Sequence, residues 1–425
     1  MKSIFSRFHP VFLLLVSLLL AVSAVAEAGS KKPRKAKLKV VSYNLYLGAD
    51  IFRVFDPPPC GTAQAVFDVH SIIQQTDFPT RAEAIADQIA LQEPHVIGLQ
   101  EVSKLLTGPP DSLTQSGIQW IVPPPDPNPV FTIKKNAMDV SYDFLQIIQD
   151  ALAARGLHYK VAPGASTTNA DVEFPAIDHI IQNGTCVFAS QPMDVRLTDR
   201  DVVLVREDLE INLQTGKNFD FNLPIVLPAV APWEGGFVEA TFVAEYFRGW
   251  GAVNVTIKDQ DFTVLNTHLE VGDDSEEPEP LLNQLQAAQA LEIDYVLNPP
   301  EPAVALPRPV LVIGDINSTP YSPIADPRPA YFILTQLAGL TDVWDIQFKP
   351  PLDEGFTCCQ NEYVDNLESE LHERIDVILA DFGDLEEKLD KAKFELLGDQ
   401  PADATPSGLW PSDPAGVAVK LEFDR

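Results

Sequence analysis

Residues Pro309 to Pro320 read PVLVIGDINSTP, and the run changes character at one point. Val310 to Ile313 is apolar at every position, the pattern of a central strand covered on both faces rather than one that alternates toward water. It then stops at Gly314 and delivers Asp315 and Asn317. The same device recurs along the chain. Leu38 to Tyr43 leads into Asn44, His95 to Leu99 carries Gln100 and Glu101, and Phe262 to Leu265 ends in Asn266, Thr267 and His268. Ile375 to Ala380 carries Asp376, and Ala415 to Phe423 follows Asp413. Helical patterns alternate with these strands. Thr80 reads as an N-cap with Glu83 closing a capping box, so a helix is predicted from Thr80 to about Gln92, stopped by Pro94. Further helices are predicted over 141–155, closed by Gly156, and over 281–297. The class is therefore α/β. If the strand ends share one edge, Asn44, Glu101, His268, Asp315 and Asn317 converge on one pocket.

The chain has 425 residues, of which 45% are hydrophobic, enough for a large core. Its 37 prolines exceed the usual share of about 5%. They predict long stiff loops over 107–130, 222–236, 271–280 and 299–309. With 30 basic and 61 acidic side chains the formal charge is −31, which repels polyanions and disfavours long nucleic acid as a partner. Asp273 to Glu277 reads as a solvated acidic loop, since its spacing does not match an EF-hand. Residues 1–28 read as a signal peptide: Lys2 and Arg7 precede an apolar run from Val11 to Val22, with small residues at Ala24, Ala26 and Ala28. That run is short for a spanning helix of about 20 residues, and no later segment is apolar enough to span. The chain is predicted to be secreted or periplasmic. Residues 29–37 form a basic leader and 38–425 one large domain. The four cysteines, Cys60, Cys186, Cys358 and Cys359, can form disulfides in such a compartment, with pairing open.

Four carboxylates, Glu101, Asp315, Asp376 and Asp413, would repel one another in a shared pocket unless a cation lay among them. Oxygen ligands without a His or Cys cluster favour a hard ion, Mg²⁺ first and Mn²⁺ or Ca²⁺ next. Such an ion can polarise a phosphoryl oxygen and stabilise a leaving group. Buried without a partner, Asp376 would be costly, and its structural alternative is a salt bridge to Arg374 or Arg200.

In order, the segments SYNLYLG (42–48), GLQEV (98–102), NTHLE (266–270), GDINSTP (314–320), ERIDVIL (373–379) and WPSDPAGV (410–417) resemble the endonuclease/exonuclease/phosphatase superfamily. Asp199-Arg200-Asp201 and Arg248-Gly249-Trp250 are lesser matches. The resemblance implies a four-layer α/β sandwich, two packed mixed β-sheets flanked by helices. It also implies a metal-dependent phosphodiesterase or phosphatase acting by in-line attack of water. On that pattern Asn44 and Glu101 hold the metal, with Asp413 beside them. His268 and Asn317 bind phosphoryl oxygens, Asp315 positions or activates water, and Asp376 orients a histidine that follows Asp413.

Here the chain departs from the pattern, because Pro414 stands where that histidine belongs. Proline has neither an ionisable proton nor a backbone N–H to offer phosphate. Losing a positioned acid–base group typically costs about 10² to 10⁴-fold in rate. His372 is the nearest remaining histidine in sequence to Asp376, although its place before the strand points it toward solvent. The reading is a secreted hydrolase of small or lipid-borne phosphoesters. The alternative is a non-catalytic phosphoester- or metal-binding protein on the same fold.

Overall fold

A computed structural model describes residues 36–424, apart from 56, 113, 223, 235, 273–279, 322–327 and 349–354. The signal segment, most of the basic leader and the acidic run Asp273 to Glu277 lie outside the described residues. Eight strands build the site: β1 (Ala36–Asn44), β2 (Val96–Gln100), β3 (Met193–Arg206), β4 (Gly249–Ile257), β5 (Gln260–His268), β6 (Val310–Asp315), β7 (Asp376–Asp381) and β8 (Gly416–Phe423). Four helices cover them: α1 (Thr62–Gln75), α2 (Phe78–Gln92), α3 (Phe144–Ala154) and α4 (Pro280–Leu297). The leader's last two residues are already strand, and Lys37 pairs with Glu422 at 2.8 Å.

Two mixed sheets face each other. In the first, β1 lies between β8 (antiparallel) and β2 (parallel), and β3 runs antiparallel to β2. In the second, β4, β5, β6 and β7 are neighbours in that order, with β5 and β6 parallel. Strand period two explains the doubly apolar runs. Val40 of β1 faces the core between the sheets, with Val96, Val203, Val264 and Ile313. Its neighbour Val41 faces outward onto Ala82 and Ile85 of α2 and Ile148 of α3. Behind the second sheet, Ala290 and Ile293 of α4 pack on Val312 and Val377. Helices, sheet, sheet and helices make the four-layer sandwich. Among the described residues no helix is long and apolar enough to cross a membrane.

The parallel pairs point the C-terminal ends of β1, β2, β5 and β6 to one edge, and the antiparallel strands β4, β7 and β8 start there. Asp315 is registered opposite Asp376, and Gly249 opposite His268. A polar bridge joins the sheets just inside this edge: Gln100 Nε2 donates to Asn266 Oδ1 at 2.6 Å, and Asn266 Nδ2 donates to Leu99 O at 3.2 Å. Gly98 makes room for it, since a Cβ there would meet Asn266 Oδ1 at 2.2 Å.

Several local expectations need correction. Helix α2 starts at Phe78 rather than Thr80. Thr80 instead gives its hydroxyl to Asp77, with Pro79 in the first turn, where a missing N–H is harmless. Helix α3 starts at Phe144, because Asp139–Asp143 is claimed by the first sheet. The segment 107–130 includes the strand Ile118–Val122. Most instructively, 222–236 is largely strand: Pro224–Trp233 pairs antiparallel with Gly236–Glu245. Pro224, Pro228 and Pro232 share one parity on an edge strand, so their missing donors all face the unpaired side. The cysteines pair as Cys60–Cys186 and Cys358–Cys359.

Replacing Gly98 by valine is expected to destabilise the fold by about 2 kcal/mol through overpacking, read as a lower urea midpoint. An unchanged midpoint would show that the sheets are not held this closely.

Candidate functional site

At the common edge, Asn44 stands between two carboxylates. Its Nδ2 donates to Glu101 Oε1 at 3.0 Å and to Asp315 Oδ2 at 3.1 Å, while its Oδ1 accepts from the Tyr46 N–H at 2.9 Å. Glu101 Oε2 accepts from the Leu47 N–H at 2.6 Å. His268 Nε2 lies 3.7 Å from Asp315 Oδ2, and its Nδ1 lies 3.9 Å from Asp201 Oδ1. Asn44, Glu101, His268, Asp315, Asn317, Asp413 and Pro414 all line one cavity of about 270 Å³. Asp376 lies outside that lining. It is wholly buried, and neither of its carboxyl oxygens has a hydrogen-bond partner. Neither salt bridge expected for it forms, since Arg374 pairs with Asp342 at 2.7 Å and Arg200 with Asp143 at 3.0 Å.

Backbone conformation serves the site. Glu101 and Asn317 both adopt left-handed φ, at 53° and 47°, which non-glycine residues hold only when their surroundings enforce it. For Asn317 the constraints are visible. Its N–H donates to Asp315 Oδ1 at 3.0 Å, its Nδ2 to Leu269 O at 2.9 Å, and its carbonyl accepts from Gln286 Nε2 at 2.6 Å. The loop bearing Asp413 is pinned by Ser412, whose hydroxyl donates to Asn44 O at 2.6 Å.

Burial and mutual repulsion govern protonation. Glu101 is pushed up to about 7 by burial and by Asp199, against the hydrogen bond from Asn44. Burial takes Asp413 to about 7 and Asp315 to about 6. Asp376 is raised well above the ordinary carboxyl range, by burial first and then by Asp315. His268 is pushed well below its ordinary value by burial and by Arg248, so its ring is neutral at physiological pH.

Three elements carry roles that the sequence did not reveal. Arg248, one residue before β4, is buried with its Nη1 2.8 Å from Nδ1 and 3.1 Å from Nε2 of His268. Burial opposes its charge, but Tyr246, Glu270, Asp199 and Asp201 overcome that and hold the guanidinium above its ordinary value. Asp199 is fixed by the Ser103 hydroxyl at 2.9 Å and Asn169 at 3.1 Å, whereas Asp201 has no partner on either oxygen. Arg81 of α2, fully buried, donates to Leu45 O, Tyr46 O and Pro411 O, tying the loop after β1 to the loop that precedes Asp413. His372 is exposed, with its Nδ1 2.8 Å from Glu370 O, and does not line the cavity.

The donor set is of the kind a divalent ion takes, although no three of its carboxylates bring an oxygen within 4.8 Å of one another. It offers buried carboxylate oxygens, of which Asp413 Oδ1 has no partner, together with an amide oxygen and no thiolate. Cys358 and Cys359 approach Asp413 but are joined as a disulfide. A second acidic group brings oxygens of Asp111, Glu173 and Asp194 within 4.8 Å of one another.

No family model and no curated protein matches the chain. Solved structures similar to it include the truncated TDP2 of Caenorhabditis elegans, at 16% identity and a TM-score of 0.43, covering 91% of this chain and 97% of that one. Another is an endonuclease/exonuclease/phosphatase family protein from Bacteroides thetaiotaomicron, at 14% identity and a TM-score of 0.46, covering 92% and 100%. With TM-scores below 0.5, neither transfers a residue role to this chain.

Carboxyls that keep their protons to about pH 7 when folded but release them near pH 4 when unfolded make the native state the better proton binder between those values. Stability of the metal-free protein should therefore fall as pH rises from about 4 to about 7. Urea denaturation in chelator should show a steeper decline for the wild type than for Glu101→Gln. Parallel curves would contradict the assignment.

Proposed function

We propose that the protein is an exported, metal-dependent hydrolase of phosphoester bonds, a member of the endonuclease/exonuclease/phosphatase superfamily. The observation that carries this reading is Asn44 held between Glu101 and Asp315, with His268 beside Asp315, in a single cavity. Asn44, Glu101 and Asp413 would hold the ion, Mg²⁺ with Mn²⁺ or Ca²⁺ as substitutes. When bound, it supplies charge neutralisation and polarisation of a phosphoryl oxygen.

The remaining work falls to the chain's own groups. Asp315, its carboxylate oriented by Asn44 and by the Asn317 N–H, accepts the proton of a water aligned for in-line attack at phosphorus. Neutral His268 and the Asn317 amide donate to the phosphoryl oxygens, and the buried Arg248 adds positive charge where negative charge develops. Asp376, opposite Asp315 on the neighbouring strand and held well above the ordinary carboxyl range by burial and by Asp315, limits repulsion there. Pro414 lines the cavity beside Asp413 and donates nothing to a leaving group. That same residue favours the second reading, a phosphoester-binding protein without turnover. The net charge of −31 supports a small or lipid-borne substrate over long nucleic acid, and two disulfides support an oxidising compartment.

Hydrolysis of bis-aryl phosphates, sphingomyelin, inositol phosphates and DNA should be screened with Mg²⁺. Chelator-sensitive turnover of at least one is expected, falling about 10² to 10⁴-fold in Asp315→Asn. No turnover on any, with metal in excess, would overturn the enzymatic reading. Pro414→His is expected to raise the rate at least tenfold. An unchanged rate in an otherwise active protein would show that leaving-group protonation is supplied elsewhere.

A further inference from the structure

The cavity has two unlike halves. Around Asn44, Glu101, Asp315, His268 and Arg248 it is polar, whereas most of the lining away from them, Asp50 and His70 apart, is hydrophobic. Val66, Val69 and Ile73 of α1 form one wall, and Val195 and Leu197 of β3 with Phe174 form the facing one. Most of these belong to a hydrophobic cluster that also includes Leu47 and Ala49, on the segment that links β1 to the short helical turn Ile51–Val54. Phe52 and Phe55 line the cavity too, yet stand 52% and 44% exposed, an uncommon arrangement for large aromatics unless they border an opening for an apolar ligand. The acidic centre thus shares its cavity with an apolar slot.

We propose that this slot takes one alkyl or acyl chain of a single-tailed phosphoester, with the phosphate at the acidic centre. The inference rests on the hydrolase reading of the same cavity and narrows its substrate class. A nucleoside or inositol in this position would leave its hydroxyls and ring nitrogens without partners against valine and leucine, whereas a hydrocarbon chain asks for no hydrogen bonds. At about 270 Å³ the cavity lies near the lower end of ligand pockets, which suits one chain rather than two. His70, also in the lining, has an unpartnered Nε2 and is held neutral by burial. It offers a hydrogen bond to an ester carbonyl or hydroxyl on the chain.

The test is a chain-length series. Methyl-, butyl- and octylphosphonate, which are not hydrolysed, are titrated calorimetrically into the full protein with Mg²⁺ in excess. Each buried methylene is expected to tighten binding about fourfold, so octylphosphonate should bind at least 100-fold more tightly than methylphosphonate. Equal affinities, or no binding by the octyl compound, would overturn the proposal. In Val69→Trp, whose indole would fill the slot, the octyl-to-methyl ratio should collapse toward one. A ratio retained in a folded variant would place the chain elsewhere and overturn the proposal, and the wild-type series stands even if that variant does not fold. Turnover of p-nitrophenyl methyl phosphate separates the two readings. Turnover without chain-length dependence in binding sinks the slot alone. The dependence without turnover of that ester or of any phosphoester in the screen upholds the slot and sinks the hydrolase.

Discussion

Carboxyl groups gathered at one edge of two sheets, too close to water-free surroundings to ionise together, are the constraint around which the structure is arranged. Glu101, Asp315, Asp376 and Asp413 share that edge because parallel and antiparallel strands are combined so that seven strand termini meet there. Each group is raised by burial, and Glu101, Asp376 and Asp413 are raised further by neighbouring carboxylates, whereas the neighbours of Asp315 hold it down. Asn44 does part of a cation's task by donating to two of them at once, and Arg248 adds a full positive charge beside His268. An arrangement this costly persists where it is compensated on binding, which a divalent ion would do.

The fold was legible because its signals are local. Val310 to Ile313 is apolar on both faces, and the structure shows why: the inter-sheet core takes one parity and the helical layer the other. The polar residues that interrupt such runs came together as the strand-end argument requires. Asn44, Glu101, His268, Asp315, Asn317 and Asp413 line one cavity, with Asp376 opposite Asp315 on the neighbouring strand. The cysteine pairs and the edge strand Pro224–Trp233 were not legible. Prolines read as loop until their common parity is set against a free sheet edge, which only tertiary structure defines.

Arg81 and Arg248 were obscured for a related reason. On an amphipathic helix Arg81 reads as solvent-facing, yet carbonyls of Leu45, Tyr46 and Pro411, brought from distant parts of the chain, satisfy it in the interior. Arg248 stood in a recognised segment without a role, because its partners His268 and Glu270 come from the next strand and the loop beyond it. The apolar slot likewise draws on α1, β3 and the turn after β1, none of which signals a ligand alone. Composition limits what a site can tolerate, and the shape of the cavity decides what it can hold.

The central claim is that the acidic edge is a metal site. Anomalous scattering from crystals of the protein grown with Mn²⁺ tests it most directly. The account predicts a peak about 2 Å from a Glu101 carboxylate oxygen, with Asn44 or Asp413 also in the coordination sphere. A peak confined to Asp111, Glu173 and Asp194, or none near Glu101 under saturating metal, would contradict it.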